Sequence, residues 1–114
     1  MEKSFFEIKY EITRDYYIHL KESYSPMQSA EMCYEDFYEE IEENNIEGII
    51  AFSTIIMLLT SDVDNISERY IEKISDIIMS YKEIKIEEKL NEKESDYLRE
   101  DMGWLENYYK KSKV

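Results

Sequence analysis

Proline appears once in this chain, glycine twice, and cysteine and histidine once each. Sheets need many turns, and turns draw on Gly, Pro and Asn, so this scarcity favours a few long helices over a β-rich fold. A single cysteine, Cys33, excludes a disulfide within the chain and fits a reducing compartment. With one histidine, His19, and one cysteine, the four Cys or His ligands of a structural zinc site are missing. No Gly-rich phosphate loop, no GxSxG nucleophile motif and no Glu-x-x-His pair of a di-iron bundle occurs. Asp62-Val63-Asp64-Asn65 has calcium-type ligands but lacks the twelve-residue loop pattern and its glycine. Carboxylates are so plentiful that no one pair of them marks an acid/base site. No catalytic residue, cofactor or metal is expected, and the chain is not expected to be an enzyme.

Long hydrophobic runs are also absent. The most apolar stretch, Ile46 to Leu59, contains Glu47 and is too short to span a bilayer as one helix. The first ten residues carry acids and no signal-peptide core. Cytoplasmic residence is therefore expected.

What is present is 43% hydrophobic and 36% charged residues over 114 positions. That is enough apolar material for one core, and the expected organisation is a single helical domain over residues 1–114. Apolar spacing predicts an all-α bundle of about five helices. The first runs from about Glu7 to Tyr24, and Ser23-Tyr24-Ser25-Pro26 ends it. Ser25 as N-cap and Pro26 at the first helical position start a second, reaching about Glu43. After the Asn44-Asn45 turn, a third over 46–60 is apolar on nearly every side and belongs at the buried centre. A fourth opens with an Asn65/Glu68 capping box and places Tyr70, Ile71, Ile74, Ile77, Ile78 and Tyr81 inward. The alternation at Ile84-Lys85-Ile86-Glu87 is read as the end of that helix. A fifth runs from about Glu92 to Lys110. Gly103 within it should permit close packing or mark a bend.

The formal charge is −13, and it is unevenly spread. Between Lys21 and Arg69 there is no lysine or arginine, while twelve Asp and Glu fall in residues 22–68. On the second helix, Met27, Ala30, Tyr34, Phe37 and Ile41 make an apolar arc. Glu31, Glu35, Glu39 and Glu42 make an acidic stripe, broadened by Asp36, Glu40 and Glu43, with Tyr38 on the border. Like charges at i,i+4 cost a helix about 0.2–0.5 kcal/mol per pair, and no lysine offsets them locally. Such a stripe is either a solvated face or a surface that a basic partner covers. The charge opposes binding to nucleic acid and to anionic membranes, and speeds encounter with basic proteins. A small-molecule ligand is not expected. Lys110, Lys111 and Lys113 read as cations complementing a helix C-terminus.

Eleven tyrosines are present, a residue suited to interfaces because its ring buries while its hydroxyl still bonds. In the pairs Tyr16-Tyr17 and Tyr108-Tyr109 the two rings point about 100° apart, so one of each is expected outside.

Two stretches, Tyr34-Glu35-Asp36-Phe37-Tyr38-Glu39-Glu40 and Asp101-Met102-Gly103-Trp104-Leu105-Glu106, give the chain a family likeness. With its length and helical order, it resembles the small acidic all-α immunity proteins of bacterial polymorphic-toxin and contact-dependent growth inhibition systems. It departs from the colicin DNase immunity proteins, being longer and lacking their Gly/Pro-rich segment, so their binding residues do not transfer. The resemblance implies a toxin inhibitor that binds and neutralises a cognate toxin, often a nuclease. Glu31, Glu35, Glu39 and Glu42 would form its electrostatic face, with Tyr38 as anchor and Asp36 and Trp104 as further contacts. Alternatives with the same composition are a phage-encoded DNA mimic that inhibits a restriction or CRISPR nuclease, and a small helical adaptor acting through an apolar groove. Oligomeric state, bacterial or phage source, and the toxin's activity stay open.

Overall fold

A computed structural model describes residues 3–113. Among the described residues six α-helices follow one another: α1 Phe5–Lys21, α2 Pro26–Asp36, α3 Tyr38–Glu42, α4 Ile46–Asp62, α5 Glu68–Glu83 and α6 Glu92–Ser112. A 3-10 turn, Ile86–Glu88, joins the last two, and no strand occurs among the described residues. The all-α bundle expected from the sequence is therefore what the chain forms.

Short polar side chains set the helix starts. Ser4, Ser25, Asn45, Ser67 and Asn91 each accept a hydrogen bond from a backbone N–H three residues on, satisfying a donor that has no partner inside the helix. Ser25 with Gln28 and Asn91 with Glu94 complete reciprocal capping boxes. Glu94 does more: its other oxygen accepts the Phe5 N–H at 3.2 Å, tying the start of α1 to the start of α6. Ser23 and Asn44 take positive φ, 76° and 56°, which reverses the chain after α1 and after α3.

α4 forms the centre. Ile49, Ile50, Ala51, Phe52, Ile55, Ile56 and Leu59 are fully buried, and α1, α2, α3, α5 and α6 all pack on this helix. Burying such side chains is worth about 1.5–3 kcal/mol each and is the main favourable term holding the bundle together. From α1 come Phe5, Ile8, Ile12 and Tyr16, from α5 Tyr70, Ile74 and Ile77, and from α6 Leu98 and Leu105. The radius of gyration, 13.4 Å, is that of a close-packed chain of this length. No helix of the described residues is long and apolar enough to cross a membrane.

Four details differ from the sequence reading. The second helix does not run unbroken to Glu43. It stops at Phe37, where φ −120° and ψ 25° leave the helical region, and a separate turn, α3, follows. The break lets Phe37 and Ile41 both reach the core and seats the α3 backbone on Gly48, where a Cβ would lie 2.0 Å from the Glu40 carbonyl oxygen. Helix α5 is capped by Ser67, not Asn65. Around Gly103 the helix is continuous and nothing lies within 4 Å of where a Cβ would be, so this glycine serves neither packing nor a bend. Helix α1 begins earlier and ends earlier than expected, because Ser4 caps it and Ser23 turns it.

Candidate functional site

The acidic stretch from Glu31 to Glu43 lies opposite α5, and between them runs a groove of about 490 Å³. One wall is Glu31, Tyr34, Glu35, Tyr38 and Glu42 from α2 and α3. The other is Arg69, Tyr70, Glu72, Lys73 and Asp76 from α5. Helical spacing explains the second wall: positions 69, 72, 73 and 76 fall on one face, while Tyr70, Ile74 and Ile77 point into the core.

At one end of the groove a cation is already held. Arg69 Nη2 donates to both Glu31 oxygens, at 2.7 and 2.9 Å, and the Tyr70 hydroxyl donates to Glu31 Oε2 at 2.6 Å. The Arg69 guanidinium lies 5.4 Å from the Tyr34 ring centre and 5.2 Å from that of Tyr70, and these two rings stack at 5.8 Å. Further along, Lys73 donates to Asn44 Oδ1 at 2.8 Å and stands 3.6 Å from Glu42. The acidic stripe is therefore not wholly uncompensated, as the local sequence had indicated. Two cations distant in the chain meet Glu31 and Glu42. Glu35, Asp36 and Glu39 are exposed and make no ion pair among the described residues.

The electrostatics follow from these contacts. Burial would hinder ionisation of Glu31, but hydrogen bonds from Tyr70 and Arg69 outweigh it and hold its pKa below the ordinary carboxylate value. Burial and the donated bond to Glu31 push the Tyr70 hydroxyl well above its ordinary value. Burial, with Glu42 nearby, raises that of Tyr34 as well. Tyr34 and Tyr70 are therefore neutral hydrogen-bonding groups at neutral pH, and Glu31 is a charged one.

Tyr38, 54% exposed, stands between Glu35 and Glu42 on the groove wall with Glu39 beside it in sequence. Glu31, Glu35, Tyr38 and Glu42 are thus brought together, whereas Asp36 and Glu39 do not line the groove. Trp104 is elsewhere, on α6. It is 37% exposed and stacks on Tyr108 with ring centres 5.5 Å apart. Sequence reasoning missed Arg69 and Lys73 as partners of the stripe, and Glu72 and Asp76 as the rest of the facing wall. Their i, i+3, i+4, i+7 spacing was visible, but not the helix they face. It also missed an outward aromatic row on α1, where Phe6, Tyr10 and Tyr17 are exposed with Ile18 beside them and Tyr97 of α6 packs edge-on to Phe6.

The other residues singled out have structural surroundings. Cys33 is buried, with its thiol near the Ile12 carbonyl, and burial together with Asp15 and Asp36 pushes its pKa up to about 12. Asp62 accepts the Tyr16 hydroxyl at 2.6 Å. Asp101 accepts from Lys9 at 2.7 Å, and the same ammonium bonds Thr54 on the central helix. His19 packs edge-on to Tyr24 and has Glu22 at 3.5 Å. Of the tyrosine pairs, Tyr16 is buried and Tyr17 exposed as expected, but Tyr108 and Tyr109 are both half-buried.

Set against known proteins, the chain matches no family model, no curated protein and no solved structure.

Proposed function

We propose that this protein is a binding module that neutralises a basic protein, as the resemblance to bacterial immunity proteins implies, and that it works in the cytoplasm without catalysing a reaction. The observation that carries the reading is the exposed Tyr38 ring set among exposed carboxylates that make no ion pair among the described residues. Long-range attraction between this face and a cationic surface raises the association rate, while a desolvated aromatic anchor supplies specificity. Nuclease active sites are cationic because they hold phosphates, so a nuclease toxin is the partner of choice. Asp36 and Glu39 act in the long-range field, and Tyr38 with Glu35 and Glu42 in contact.

The test is co-purification from the native host with tagged wild-type chain and with Glu35→Lys/Glu39→Lys. Both positions are exposed, so the variant is expected to fold. Wild type is expected to retain a basic protein in stoichiometric amount, and the variant to lose most of it. Equal retention by both would remove the acidic face from the interface, and an acidic partner would remove the proposal. The exposed aromatic row on α1 favours one second reading, an adaptor surface whose binding would be insensitive to salt.

A further inference from the structure

We infer that the groove between α2–α3 and α5 is a slot for one arginine side chain of the partner. The inference rests on the proposed reading in that the arginine is taken to come from the protein bound.

The chain itself displays the chemistry. Arg69 sits at one end of this groove with its guanidinium against two tyrosine rings and its N–H groups on a carboxylate. The same set of groups continues beyond it. Tyr38 offers a further ring, and Glu35, Glu72 and Asp76 line the walls without an ion pair among the described residues. Tyr34 is an independent sign. It is only 6% exposed and lines the groove, yet its hydroxyl makes no hydrogen bond among the described residues. That hydroxyl is not sealed from water, so it is open to a donor entering the groove. Kept protonated by its surroundings, it can accept an N–H while the carboxylates accept the others.

Five carboxylates and two cations line the groove, so an entering cation meets an excess of negative charge. Shape selects arginine over lysine. A planar guanidinium stacks on a ring face, here that of Tyr38, and forks its donors onto separate oxygens, whereas an ammonium is a strongly hydrated point charge. Its volume lies within the range of side-chain and small-ligand pockets, about 300–1,000 Å³.

The experiment is an NMR titration of the tyrosine rings and backbone amides with N-acetyl-arginine amide, its lysine counterpart and its uncharged citrulline counterpart. Saturable shifts of Tyr34, Tyr38 and Tyr70 are expected with the arginine probe, binding at least about threefold tighter than lysine, with no response to citrulline. Glu72→Gln/Asp76→Asn, both exposed positions, should weaken the arginine probe about tenfold, which corresponds to losing about 1.4 kcal/mol. Tyr34→Phe should weaken it about threefold, in line with one lost hydrogen bond. Shifts spread evenly over all surface carboxylates, equal for arginine and lysine, would overturn the slot and leave the acidic-face proposal standing. Arginine binding in the groove with no basic partner captured from the host would do the reverse.

Discussion

Gly48 and Gly103 show how differently one residue type can be used. At Gly48 the backbone of α3 lies so close that an added Cβ would meet the Glu40 carbonyl and the Ile41 nitrogen, both backbone atoms that cannot swing aside. Gly48→Ala is expected to destabilise the fold by at least about 2 kcal/mol, because α3 must lift off α4. Gly103→Ala meets nothing and should stabilise by about 0.5–1 kcal/mol through lower chain entropy. Urea unfolding of the two variants checks both signs. Four buried groups set the response to alkali. Cys33, Tyr16, Tyr34 and Tyr70 all have folded-state pKa values raised, chiefly by burial. Their contribution to stability is complete below the unfolded values, about 8.5 for a thiol and about 10 for a tyrosine, and drains away as pH rises above them. The urea midpoint should therefore hold level from pH 7 to 8 and fall by about pH 10.5. An unchanged midpoint would mean that these groups ionise without unfolding.

At the scale of the helix, much was legible in the sequence. The Ser25-Pro26 start, the Asn44-Asn45 turn, the all-round apolar third helix and the inward row on α5 are each fixed by residues within one turn of one another. The break at Phe37 was not legible, because its cause lies in another element: Gly48 on α4 lets the α3 backbone settle there. The groove was half legible for the same reason. Its glutamates share one stretch of sequence, but Arg69 and Lys73 reach them only through the packing of the bundle. The sequence reading set the α5 cap at Asn65, and the structure sets it at Ser67. Ser67→Ala should then cost about 1 kcal/mol while Asn65→Ala costs close to nothing. Thermal unfolding monitored by circular dichroism would distinguish them, and the opposite order would place the helix start two residues earlier.

For the whole molecule, the decisive quantity is charge and where it falls. Folding leaves Glu35, Asp36 and Glu39 exposed without an ion pair among the described residues, while it sets cations against Glu31 and Glu42. The pairs join the two walls of the groove, and the remaining carboxylates project the field that a cationic partner would meet. An exposed ion pair is worth about 0–1 kcal/mol, so the compensation at Glu31 and Glu42 shapes the surface more than it stabilises the fold. The most direct test of this account is the association rate with the captured basic partner, measured by stopped flow from low to high ionic strength. For wild type the rate is expected to fall at least tenfold between about 20 and 300 mM salt, and for Glu35→Lys/Glu39→Lys to be slower with a much flatter dependence. A wild-type rate that does not change with salt, or a double variant that follows the same curve, would contradict it.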